Sequence, residues 1–181
     1  MQYFDYFELP VTLRIDTALL RKRFLALSKA AHPDRFTLEG EAAQAAALEQ
    51  STQLNNAYQT LADPETRLHY LLTEWGMLGN ESSSSTQKRE NSLPQSFLME
   101  MLELNDALEI ANEQPDSTTR QQQLETLTSE ITTLDTALEA GVKPLLDHPD
   151  LASASPTERD ALRVYYLKRR YLRRLRHPNE M

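Results

Sequence analysis

Leu124, Leu127, Ile131, Leu134 and Leu138 recur at alternating steps of three and four residues. Such spacing gathers all five on one side of a helix with 3.6 residues per turn, whereas the two-residue period of a strand would split them between opposite faces. Similar periodicity runs through most of the 181 residues, glycine occurs only four times, and alternating β-branched runs are scarce. The chain is therefore expected to be all-α.

Two helical units emerge from the pattern. The first opens with an aromatic cluster, Tyr3, Phe4, Tyr6, Phe7 and Leu9, closed by Pro10. A helix with Asp16 or Thr17 as N-cap should follow and run to about Ala31, because Pro33 and the residue before it resist the helical conformation. Leu20, Phe24, Leu27 and Ala31 share one side of it, with Lys22 and Lys29 nearly opposite. After a loop around residues 32–40, an alanine-rich helix from Glu41 to about Leu61 carries Ala47, Leu54, Ala57, Tyr58 and Leu61 as its buried stripe, packed antiparallel on the first. Asp63 and Pro64 start a short helix with Arg67, Leu68, Tyr70, Leu71 and Leu72, ending near Trp75 and Gly76.

Residues 79–96 are polar and serine-rich, the composition of a flexible linker or long loop. Beyond them a three-helix bundle is expected, with helices from about Gln95 to Asn112, Thr118 to Ala140 or past Gly141, and Thr157 to Arg176. The resulting division is 1–76, a linker or loop at 77–94, and 95–181. On the first bundle helix Phe97, Met101, Leu104, Leu108 and Ala111 suffice to face a core. Leu98, Met99, Leu102 and Ile110 make a second apolar stripe on the other side, interrupted by Asp106 and flanked by Glu103. Three helices have little with which to cover both stripes, so the second reads as a partner-binding surface, or else as a surface covered by the N-terminal unit or the linker.

Composition excludes several classes. The chain has no cysteine, hence no disulfide, thiolate metal site or cysteine nucleophile, and any sulfur-ligated cofactor belongs to a partner. No apolar run is long enough to cross a bilayer, and the first residues lack the order of a signal or transit peptide, which points to the cytosol, and to a bacterial one. The net charge of -8 is divided as -3 over residues 1–75, -6 over 76–116 and +1 over 117–181. Arg163, Lys168, Arg169, Arg170, Arg173, Arg174 and Arg176, interleaved with tyrosines, would suit a nucleic-acid-binding helix, the competing functional class. The acidic total weighs against it and favours a helix that lies beside the acidic first bundle helix and turns its other cations to water. No glycine-rich phosphate loop, zinc-spaced histidine pair or Ser/His/Asp arrangement is identifiable, and His32, His69, His148 and His177 are scattered, so neither an enzyme nor a bound cofactor or metal is expected.

His-Pro-Asp occurs twice, at 32–34 and at 148–150. The first copy sits between two amphipathic helices expected to pair, so that the loop is displayed with Arg35 at the tip of a hairpin. The second lies between bundle helices, followed by small residues and another proline, and reads as a helix-stop turn.

A helix with a basic outer face, HPDRF, a second helix and then LADPETRLHYLL resembles the J domain, the module that stimulates ATP hydrolysis by seventy-kilodalton heat-shock chaperones. With the opening YFDYFELP and the bundle start SFLMEMLELNDALE, nearly the whole chain resembles the HscB family of J-type co-chaperones in iron-sulfur cluster biogenesis. The resemblance implies an N-terminal J domain, a helical hairpin plus short helices, joined to the C-terminal bundle. It implies two partners, an HscA-type ATP-dependent chaperone and the iron-sulfur cluster scaffold protein. His32, Pro33 and Asp34 would dock on the chaperone, with Arg21, Lys22, Lys29 and Arg35 adding electrostatic attraction. Leu98, Met99, Leu102, Glu103 and Asp106, with Tyr171 on the last helix, would meet the scaffold. Two departures stand out: Ala26 and Leu25 occupy positions where J domains commonly carry basic residues, which favours a dedicated chaperone, and Ile110 stands where an acid is expected.

Overall fold

The structure is a computed structural model that describes residues 2–38, 40–78 and 93–176. Most of the expected linker and His177 lie outside the described residues. Every regular element among the described residues is helical. They form two compact units, one of residues 2–78 with 145–156 and one of 93–144 with 157–176.

In the first unit, α1 (Gln2–Tyr6), α2 (Thr17–Ala30), α3 (Glu41–Ala62) and α4 (Pro64–Glu74) surround a core that includes Phe4, Phe7, Leu20, Leu61, Leu71 and Leu72, all fully buried. Asp16 caps α2, its Oδ1 accepting from the N–H groups of Ala18 and Leu19 at 2.9 and 3.0 Å. That satisfies two of the donors every helix start leaves open. α2 and α3 form the expected hairpin: Phe24 stacks on Tyr58 with ring centroids 4.2 Å apart, and the Ser51 hydroxyl donates to the Ala31 carbonyl at 2.8 Å. Leu27, expected on the packed side of α2, is instead 37% exposed.

The segment LADPETRLHY explains itself in hydrogen bonds. Asp63 caps α4 by accepting from Glu65 and Thr66 N–H at 3.0 and 2.8 Å. Arg67 is 3% exposed and donates to the Leu61 carbonyl at 2.7 Å, the Ala62 carbonyl at 3.3 Å and the Leu13 carbonyl. One guanidinium thus satisfies carbonyls that the end of α3 leaves open and ties that end to the chain before α2. Burial, opposed by the charge of Asp63, lowers the pKa of Arg67. Tyr70 stacks on Tyr3 at 4.5 Å, and its hydroxyl accepts from the Tyr3 N–H at 3.2 Å. Gly76, at φ 67°, closes α4: its N–H reaches the Thr73 carbonyl and the Met77 N–H reaches that of Leu72, at 2.9 and 2.8 Å. This double closure needs a left-handed residue, which glycine supplies without strain.

Residues 145–156, which the sequence assigns to the bundle, pack in this first unit. The Thr12 hydroxyl donates to the His148 carbonyl at 2.9 Å, the Leu151 N–H to the Val11 carbonyl at 2.6 Å, and Arg14 pairs with Asp147 at 2.6 Å. Leu151 is fully buried.

In the second unit α5 (Gln95–Glu113), the body of α6 (Ser117–Leu146) and the body of α7 (Pro156–Arg176) form the bundle. α6 starts at Asp116, whose Oδ2 accepts from the Thr119 N–H at 2.7 Å. Hydrogen bonds from the Thr119 hydroxyl and N–H hold the Asp116 carboxyl below the ordinary carboxylate range. The helix continues through Gly141 and Pro144. Leu93, Phe97, Met101, Leu104, Ile131 and Leu172 are the buried centre, with Leu108, Leu127, Leu134 and Leu138 packed against it. From Leu127 to Leu138 the seam of α6 therefore faces the core as its spacing requires, while Leu124 lines a cleft with Leu108 and Tyr171. Leu98, placed by periodicity on the outer stripe of α5, also packs partly against this core.

Candidate functional site

The first His-Pro-Asp forms the entry to a 3-10 turn, Pro33–Phe36, between α2 and α3. His32 Nδ1 accepts from the Asp34 N–H at 3.2 Å, and the Arg35 N–H donates to the His32 carbonyl at 3.0 Å. Nδ1 also lies 3.5 Å from an Asp34 carboxylate oxygen. With Nδ1 accepting from the backbone N–H, the neutral ring carries its N–H on Nε2, the outer nitrogen. Arg35 reaches back to the Lys29 carbonyl at 3.3 Å, and the Thr37 hydroxyl to the Asp34 carbonyl at 3.1 Å. The turn is thus braced by its own backbone while its functional atoms stay open: the side chains of His32 and Asp34 are 58% and 84% exposed. Arg21, Lys22, Lys29 and Arg35 are exposed as well. Pro33 is half-buried and sets the backbone angle of the turn.

The second copy repeats the internal geometry, with the Asp150 N–H donating to His148 Nδ1 at 3.2 Å. Its surroundings differ. Asp150 spends its carboxylate on the Ala152 N–H at 2.9 Å, capping the short 3-10 turn Leu151–Ser153, and the carbonyl of His148 is held by Thr12. The tripeptide alone fixes a turn; whether its side chains are presented to a partner depends on what the turn is anchored to.

On α5, Met99, Leu102, Glu103, Asp106 and Ile110 fall within about 100° of helix arc. Met99, Leu102 and Ile110 are 58%, 60% and 63% exposed, and Glu103 and Asp106 are exposed beside them. Leu102 also borders a cleft of about 680 Å³ between α5, α6 and α7, together with Tyr171 and Arg174. Tyr171 is half-buried: its ring meets Phe97 edge-on at 6.1 Å and carries the Arg174 guanidinium 4.7 Å above it. Tyr171 is thus part of the core and part of the cleft wall at once. The structure brings Leu102 and Tyr171 to one cleft, leaves Met99, Glu103 and Asp106 on the open face of α5, and withdraws most of Leu98 into the core. Arg174, which the sequence groups with the cations of α7, stands three residues after Tyr171 on the same helix, the spacing that lays it over the ring.

Much of the charge on α7 works inside the unit. Arg169 pairs with Asp135 at 3.1 Å and donates to the Tyr165 hydroxyl at 2.9 Å, while burial pushes the Tyr165 phenol up. Arg163 pairs with Asp160 at 2.7 Å, Arg176 donates to the Thr132 hydroxyl at 3.0 Å, and Lys168 sits 4.9 Å from the centre of the Phe97 ring. A cation committed to an internal partner has less to offer a phosphate backbone. Among the described residues no group of three or more His, Cys, Asp or Glu side chains is placed to hold a metal ion, and no helix is long and apolar enough to cross a membrane.

A DnaJ-domain family model matches residues 2–70, and a model described as the HSCB C-terminal oligomerisation domain matches residues 93–177. The chain belongs to the HscB family. A relative named co-chaperone protein HscB homolog, from Vibrio cholerae serotype O1, is 40% identical over 109 residues, which is 60% of this chain and 60% of the relative. The alignment therefore spans about three fifths of the length of the curated HscB relatives it matches. Among solved structures, chaperone HscB from Vibrio cholerae superposes with a TM-score of 0.66 at 28% identity, covering 98% of this chain and 94% of that one. Human co-chaperone HscB superposes with a TM-score of 0.68 at 22% identity, covering 97% and 79%, and at that identity shares the fold. In HscB terms, the His-Pro-Asp turn at 32–34 lies in the DnaJ-matched segment and the apolar stripe of α5 in the C-terminal one.

Proposed function

We propose that this chain is a co-chaperone of iron-sulfur cluster biogenesis that brings a cluster scaffold protein to a dedicated HscA-type ATP-dependent chaperone and stimulates that chaperone's ATP hydrolysis. The observation that carries this reading is the segregation of two open surfaces onto two compact units: a braced turn displaying His32 and Asp34 on one, and an exposed apolar stripe edged with carboxylates on the other.

The chain itself makes and breaks no bond in ATP. Asp34 offers a free carboxylate for charge-assisted hydrogen bonds from a chaperone arginine, His32 offers Nε2, and Pro33 and the turn keep both from reorganising on contact. Arg21, Lys22, Lys29 and Arg35 raise the rate of encounter with an acidic surface. Stimulation follows if the turn binds one conformer of the chaperone more tightly than the other, since a ligand moves an equilibrium only by its differential affinity. Met99, Leu102 and the Tyr171 wall of the cleft supply apolar contact for the scaffold, and Glu103 and Asp106 set its orientation through charge. The cluster is cargo of the scaffold, consistent with a chain that has no cysteine. The bacterial relatives and the absence of a membrane-spanning helix among the described residues suit a place in the bacterial cytosol.

The test is steady-state ATPase of an HscA-type chaperone titrated with the full chain, with and without scaffold. Stimulation that grows more than additively when scaffold is present supports the reading, and a rate indifferent to the chain at every concentration overturns it.

A further inference from the structure

Among the described residues, large apolar side chains open to solvent occur in two places: Met99, Leu102 and Ile110 on α5, and Leu25, Leu27, Leu38 and Leu48 on the helical hairpin. The first group belongs to the stripe already described; the second is unassigned. Leu25 is its most informative member. It is 57% exposed, and Lys22, three residues before, and Lys29, four residues after, share its side of α2. Ala26, beside it, is exposed and adds no polar group. The solvent face of α2 therefore presents a leucine between two ammonium groups. One exposed leucine is ordinary on a protein surface. This one lies about 6 Å along the helix axis from Lys29, whose carbonyl receives the Arg35 side chain at 3.3 Å, so the stripe runs without interruption into the His-Pro-Asp turn.

We infer that Leu25 is a specificity-determining contact to the ATP-dependent chaperone, entering an apolar pocket there whose carboxylate rim meets Lys22 and Lys29. The inference rests on the co-chaperone reading above. The charges argue for this occupant. A second copy would bring the same lysines face to face, and a lipid surface is bound by a broad apolar helix face, which a single leucine flanked by one alanine does not make. The two kinds of side chain divide the work. The lysines act on encounter and are screened by salt, whereas a buried leucine acts on the lifetime of the complex and is not. A chaperone with carboxylates but no apolar pocket at this point would have to desolvate charge against Leu25, which discriminates against it.

The experiment titrates full-length wild type, Leu25→Ala, Leu25→Met and the Lys22→Ala/Lys29→Ala double variant against an HscA-type chaperone in the ATPase assay at low and high salt. Leu25→Ala should raise the concentration for half-maximal stimulation about tenfold, or about 1.4 kcal/mol, at both salt concentrations, with the maximal rate and thermal midpoint unchanged. Leu25→Met should titrate as wild type, and the penalty of the lysine variant should fade at high salt. Wild-type behaviour of Leu25→Ala in an assay where wild type stimulates overturns the inference and spares the co-chaperone reading, while failure of wild type to stimulate removes both. Sedimentation with anionic phospholipid vesicles that depends on Leu25, alongside an unaffected chaperone titration, would assign the stripe to a lipid surface and overturn the inference too.

Discussion

The Thr12 hydroxyl donates to the carbonyl of His148 across 136 positions of sequence. That bond makes the second His-Pro-Asp an anchored turn. Thr12 is 6% exposed, so its loss leaves an acceptor without its partner in a nearly dry setting. Thr12→Val should cost about 1 kcal/mol in denaturant unfolding, with ATPase stimulation retained. Loss of stimulation with intact stability would assign residues 145–156 a role in partner contact.

Arg67→Ala should be the most damaging single change in the first unit. It strips the donors from three backbone carbonyls at once, and hydrogen bonds to a charged group contribute about 1.5 to 3 kcal/mol each. A loss of about 3 kcal/mol or more is expected in chemical denaturation, and a change within about 0.5 kcal/mol, the range of ordinary surface substitutions, would contradict it.

Burial, partly offset by the hydrogen bond from the Tyr3 N–H, pushes the Tyr70 phenol up to about 12 from an ordinary 10.0. A phenol whose folded-state value is raised stabilises the fold fully below pH 10 and loses that contribution as pH climbs toward 12. Unfolding free energy should therefore fall across that window, and Tyr70→Phe, which keeps the stack on Tyr3, should fall less steeply. Equal slopes would show that Tyr70 is not the group responsible.

Neighbouring positions on α5 should separate binding from folding. Leu102 is 60% exposed and Met101 is fully buried. Leu102→Asp should weaken scaffold binding at least about tenfold, or about 1.4 kcal/mol, in calorimetric titration without moving the thermal midpoint. Met101→Ala should cost about 2 to 5 kcal/mol of stability. Scaffold binding unchanged by Leu102→Asp would remove the stripe from the interface.

The helices were largely legible because their apolar spacing is local: Leu127, Ile131, Leu134 and Leu138 face the core, and Ala47, Leu54, Ala57 and Leu61 are buried as periodicity requires. The capping residues Asp16 and Asp63 could likewise be read from side-chain chemistry within three residues. What could not be read depends on distant partners. Nothing near LLDHPDLA announces that its backbone meets Val11 and Thr12, and nothing on α7 announces that Tyr171 meets Phe97 of α5. Leu27 and Leu98 differ from expectation for a related reason: periodicity gives the direction of a side chain on its own helix, while burial depends on which side chains of the neighbouring helices cover it. The two His-Pro-Asp copies share the same 3.2 Å internal bond, so only their anchorage tells them apart.

The most direct test of that distinction is chaperone ATPase in the presence of scaffold with wild type, His32→Gln and His148→Gln. The expected result is stimulation by wild type and His148→Gln and none by His32→Gln, with all three folded by circular dichroism. Full stimulation by His32→Gln, or its loss in His148→Gln alone, would contradict the assignment of the first turn as the trigger.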